Sequence, residues 1–92
     1  MSKRRDSVRD AIEDSPAQAE NMKLRSGLMA ALTTYIAKEG MTQSEAAEKF
    51  GVTQPRISNL MRGRSDLFSL DTLVNMLAMA GLEVQMYVGK AG

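Results

Sequence analysis

Ninety-two residues, 43% apolar and 25% charged, have the make-up of one small globular domain and leave no room for two. The chain contains no cysteine and no histidine. That removes disulfides, cysteine-ligated zinc, the commonest metal ligand and the commonest general base together, and a net charge of +1 nominates no partner by itself.

Residues 1–20 are polar and mixed in charge, and are expected to form a partly ordered arm. Within it Val8 and Ile12, at i and i+4, allow a turn or two of helix. Ser15-Pro16 would end that helix, because a residue before proline avoids the helical region. From about Asn21 to Lys38 the periodicity predicts a helix with Leu24, Leu28, Ala31, Leu32, Tyr35 and Ile36 on one face. Gly40 is its stop signal. In "MTQSEAAEKFGV", Thr42 and Glu45 have capping-box spacing, which predicts a helix from Gln43 to Phe50 with Gly51 as its left-handed end. Ala46 and Ala47 are small enough for another helix to approach closely. "TQPRISNLMRGR", Thr53 to Arg64, follows after a single corner residue, Val52. Ser69 can then cap a helix from Leu70 to Ala80, with Leu70, Leu73, Val74 and Leu77 inward and Gly81 as its end. Leu82, Val84, Met86 and Val88 alternate with Glu83, Gln85 and Tyr87, the period-two pattern of a strand over 82–88.

A short helix, a glycine turn and a second short helix form a helix-turn-helix pattern, here over 43–62. At about 100° per residue, Ile57 and Leu60 mark the buried side of the second helix, with Met61 at its edge. Pro55, Ser58, Asn59 and Arg62 centre the opposite side, flanked by Gln54 and Arg56. Asn and Gln can make two hydrogen bonds to adenine and Arg two to guanine. The residues expected to read bases are Gln54, Pro55, Arg56, Ser58 and Asn59. Those expected to hold phosphates are Gln43, Thr53, Arg62 and Arg64. The charge distribution agrees. Residues 41–64 set Lys49, Arg56, Arg62 and Arg64 against Glu45 and Glu48, whereas residues 65–92 set Asp66, Asp71 and Glu83 against Lys90. A localised anion-binding face fits this pattern; so does a plain solvated helix surface. Pro55 is tolerable in either of two frames. It is the first helical residue if Gln54 caps, and the second if Thr53 caps by accepting from the Arg56 N–H.

One strand cannot satisfy its own backbone. The predicted strand, with Leu82, Val84, Met86 and Val88 toward the core, is expected to pair with its copy across a two-fold axis. A tail packed on its own domain is the alternative. Eight methionines could line an adaptable groove, but the helical placement of Met29, Met61, Met76 and Met79 favours the core and its edges. No run approaches the about 20 apolar residues of a membrane span, and "MSKRRDSVRD" precedes no apolar signal core. A cytoplasmic location without a membrane partner is therefore expected.

These residues also carry a family resemblance. "MTQSEAAEKFGVTQPRISNLMRGR" resembles the helix-turn-helix of the XRE family of phage Cro-type repressors, through the pattern "TQ.EAA..FGV.Q..IS.L..G". With "NMKLRSGLMAAL" before it and "LFSLDTLVNMLAMAGLEV" after it, the likeness runs from about Val8 to Val88. It extends to a subgroup that includes HigA-like antitoxins, encoded beside RelE/HigB-like toxin ribonucleases. The resemblance implies an all-α, lambda-repressor-like helix-turn-helix bundle with a short C-terminal β-strand pairing across a homodimer. It implies a transcriptional repressor of palindromic double-stranded DNA operators, with no cofactor and no small-molecule substrate. It further implies autoregulation as an antitoxin with a RelE/HigB-like toxin as partner. By position, Gln43 and Gln54 match family glutamines at the starts of the two motif helices, and Pro55, Arg56, Ser58 and Asn59 match positions that face the major groove. Pro55 replaces a hydrogen-bonding residue found in some relatives, so contact there would be apolar, as to a thymine methyl. The rival readings are a stand-alone regulator without a toxin and an interaction module that lost DNA binding. An enzyme is disfavoured by the missing histidine, cysteine and carboxylate cluster.

Overall fold

The structure, a computed structural model, describes residues 16–90. The turn expected at Val8 and Ile12 lies outside the described residues. Four helices and a 3-10 turn follow in order: α1 Pro16–Glu39, α2 Gln43–Phe50, α3 Gln54–Met61, the turn Ser65–Leu67, and α4 Leu70–Met79. Pro16 opens α1, which starts five residues before the expected Asn21. The reason is physical: proline lacks only an N–H that a first helical turn does not use.

The core draws on every helix. Met29, Leu32 and Ile36 come from α1; Ala46, Ala47 and Phe50 from α2; Ile57 and Leu60 from α3; and Leu73, Met76 and Leu77 from α4. Phe68, just after the 3-10 turn, joins them at 1% exposure. Each large side chain removed from water contributes about 1.5–3 kcal/mol, and Tyr35 meets Phe50 edge-on with ring centroids 6.0 Å apart. The inward face of α1 is displaced from the expected one. Met29 is buried, whereas Ala31 and Leu24 are exposed. Leu24 instead lines an open apolar groove with Leu28, Leu70, Val74, Val84 and Met86. Val74 is likewise exposed and Met76 takes its place in the core. Met79 and Met61 lie at the surface.

The strand expected over Leu82–Val88 does not form. Those residues carry no regular secondary structure, and the described residues contain no strand. Leu82 and Val84 pack against the core, while Met86 and Val88 are 74% and 86% exposed. The alternation therefore specifies which side chains turn inward over its first half only. In a single chain no neighbouring strand supplies hydrogen-bond partners, so a ladder cannot form.

Candidate nucleic-acid interface

Local hydrogen bonds fix both motif helices. The Glu45 N–H donates to Thr42 Oγ1 at 3.0 Å and the Thr42 N–H donates to Glu45 Oε1 at 2.8 Å, which completes the capping box. Gly51 ends α2 at φ 69°, ψ 35°, and the Val52 N–H returns to the Ala47 carbonyl at 2.9 Å. The left-handed conformation costs glycine no Cβ clash. The chain therefore turns within three residues, α3 packs on α2, and the small residues Ala46 and Ala47 of α2 are buried.

Thr53 caps α3. Its Oγ1 accepts from the Arg56 N–H at 3.3 Å, so Pro55 is the second helical residue. The Thr53 hydroxyl keeps its own proton free to donate, as a phosphate contact needs. Gly63, at φ 74°, closes the other end. There the Gly63 N–H reaches the Leu60 carbonyl at 3.0 Å and the Arg64 N–H reaches that of Asn59 at 3.1 Å.

The surface of α3 divides into rows spaced i, i+4. Gln54, Ser58 and Arg62 form one outward row, and Pro55 and Asn59 form another. Gln54, Pro55 and Arg62 are exposed; Ser58 and Asn59 are half-buried. Gln43 is exposed at the start of α2. The side chains of Gln43, Gln54, Ser58, Asn59 and Arg62 make no hydrogen bond or ion pair to the described residues. They are free to meet a ligand.

The other two arginines of the motif are engaged. Arg56 shares its row with buried Leu60, on the flank next to the core. Its Nη1 donates to the Leu67 carbonyl at 3.1 Å and its guanidinium lies over the Phe68 ring, 5.1 Å from the centroid. Arg64 pairs with Asp66 through two contacts of 3.3 Å. The hydrogen bond from Arg64 holds the Asp66 carboxyl below the usual carboxylate range, and the carboxylate raises the guanidinium in turn. Sequence reasoning missed Phe68, Asp66 and Arg25, whose Nη1 donates to the Ser65 carbonyl at 3.1 Å. Phe68 had a legible signal as one of only two phenylalanines. Arg25, forty positions from Ser65, had none.

A family model described as a helix-turn-helix domain matches residues 11–89. A solved structure described as an XRE-family transcriptional regulator has a TM-score of 0.72 and 27% identity, covering 80% of this chain and 83% of its own. No curated protein sequence matches the chain.

Proposed function

Because this chain belongs to the helix-turn-helix domain family over residues 11–89, we propose that it is an XRE-like transcriptional repressor whose α3 reads the major groove of operator DNA. The observation that carries the reading is the outward face of α3. Gln54, Ser58, Asn59 and Arg62 present unpaired donors and acceptors from a helix held at both ends. Gln54 and Asn59 suit adenine, with about 1–3 kcal/mol of base discrimination per well-placed bidentate pair. Pro55 offers only apolar contact. Gln43, Thr53, Arg62 and Arg64 are the proposed phosphate contacts, which would set register and make affinity fall steeply with salt. In-vitro selection from a randomised duplex pool, followed by footprinting, tests the reading. Failure to enrich any sequence would favour an interaction module that lost DNA binding.

The finer reading is a homodimeric antitoxin that represses its own operon. One α3 spans about 12 Å and reads one half-site, so two copies about 34 Å apart would read a palindrome. The exposed apolar side chains of Met86, Tyr87 and Val88 support the tail as the joining element. Sedimentation of the full chain beside a Met86→Asp/Val88→Asp variant tests this; dimerisation that survives the variant places the contact elsewhere. The antitoxin role is supported by the resemblance of the motif and its flanks. Co-purification with the product of an adjacent RelE-like reading frame tests it, and a stand-alone regulator would bring down no such partner.

A further inference from the structure

Two arginines from different helices converge on one three-residue turn. Arg56 of α3 donates to the Leu67 carbonyl at 3.1 Å, and Arg25 of α1 donates to the Ser65 carbonyl at 3.1 Å. These carbonyls are the two ends of the Ser65–Leu67 turn. The turn's own backbone hydrogen bonds are few: Ser65 N–H to the Gly63 carbonyl at 2.8 Å, Leu67 N–H to the Arg64 carbonyl at 3.0 Å, and Phe68 N–H to that of Ser65 at 3.3 Å. A 3-10 segment this short has little stability of its own. Phe68 anchors one side of it in the core at 1% exposure, and the Arg56 guanidinium covers that ring. Arg25 is further fixed by Nη2 to Met22 Sδ at 3.6 Å.

We propose that Arg56 and Arg25 are positioning residues. They clamp the 65–67 turn to α3 and α1, and thereby fix where Arg64 stands beside the groove-facing side of α3. Arg56 is accordingly not a base reader. End-on bidentate contact with guanine uses both terminal nitrogens. Arg56 has one terminal nitrogen on Leu67 and its face on Phe68. Reading guanine through those two nitrogens would mean giving up the Leu67 bond. Arginine is the side chain that can stack by its face and donate by its edge at once, which lysine cannot. Arg64 opens the turn directly, so the turn's orientation sets the reach of its guanidinium toward a phosphate.

This inference rests on the DNA-binding reading, and the experiment separates the two. The full chain and its Arg56→Met, Arg56→Lys, Arg25→Met and Arg64→Ala variants are measured in two ways. Native-state amide exchange reports the turn with no DNA present. Binding to a random-sequence duplex, and re-selection from the randomised pool, report affinity and base preference. Arg56→Met and Arg25→Met each speed exchange of the Leu67 and Phe68 amides by about tenfold or more. Both weaken random-duplex binding while the enriched sequence stays that of the wild type. Arg56→Lys behaves like Arg56→Met although its charge is kept, and Arg64→Ala costs less affinity on the Arg56→Met background than alone. The proposal is overturned if Arg56→Met or Arg56→Lys shifts the enriched base at any position. Unchanged amide exchange in the Arg56 or Arg25 variants overturns it equally. A wild type that binds no duplex ends the DNA-binding reading and, with it, the role assigned to the clamp, whatever the exchange data show of the turn.

Discussion

Gly51→Ala tests the turn on which the whole motif depends. At φ 69°, ψ 35°, alanine pays about 1–2 kcal/mol for the left-handed conformation. It recovers about 0.4–1 kcal/mol because the unfolded chain has less freedom to lose. A Cβ at this position would also meet Met79, with Cε at 3.0 Å and Cγ at 3.6 Å. Met79 is 64% exposed and flexible, so it moves aside at small cost. The net expectation is about 1 kcal/mol of destabilisation, or a fall of about 4–8 °C in Tm for a domain of this size. Gly51→Asn should lose less, since asparagine visits this region more readily. Thermal and urea unfolding followed by circular dichroism, each repeated on a Met79→Ala background, measure both contributions. If the loss disappears once Met79 is truncated, the cost came from the contact, and the backbone argument fails.

Thr53→Ala removes the side-chain acceptor that the Arg56 N–H shares with the Thr53 carbonyl and should cost about 1 kcal/mol, with Thr53→Ser close to the wild type in urea unfolding; equal losses in both would show that the hydroxyl is not the cap. Asn59→Ala should relax base preference at one position, while Arg62→Ala weakens binding to every sequence and cuts the salt slope by about 1; equal loss on selected and random DNA for Asn59→Ala would remove it from base readout. Asp66→Asn releases Arg64 and removes a negative charge, raising random-duplex affinity by no more than about fivefold, since exposed pairs are weak. The Asp66 carboxyl titrates below its ordinary value, so the pair persists at any pH above that range and is lost only as pH falls through the lowered value. The gap between wild type and Asp66→Asn should therefore be the same at pH 5 and pH 7.5 in paired salt titrations, and a gap that closes between them would assign the titration to another group.

The parts of this molecule legible in the sequence are those encoded locally. Thr42 with Glu45, Gly51 and Ser69 act within three or four residues, and the structure places each as its spacing predicts; of the two frames open to Pro55, the structure takes the one capped by Thr53. The inward anchors Ile57 and Leu60 were equally plain, since an eight-residue helix leaves few ways to turn. Features set by distant neighbours were not legible. Arg56 looks like an outward cation on a wheel, and only the presence of Phe68 and the Leu67 carbonyl turns it aside. Leu24 has helical spacing suited to a core, yet it borders an open groove. The tail's alternation describes a strand that one chain cannot complete.

The local caps have a kinetic consequence. α2 and α3 are each started by their own side chains and pack together within about twenty residues of chain, so their pairing closes a short loop. The packing of α1 on α4 joins segments on either side of that pair. The expected order of assembly is α2 with α3 first and the α1–α4 seam later. Ile57→Val should then slow folding, whereas Leu32→Ala and Leu73→Ala, both truncating fully buried side chains, should mainly hasten unfolding. Stopped-flow chevrons that show the reverse would overturn this order. On this account the motif governs how quickly the protein acquires its shape, and the outer helices govern how long it keeps it.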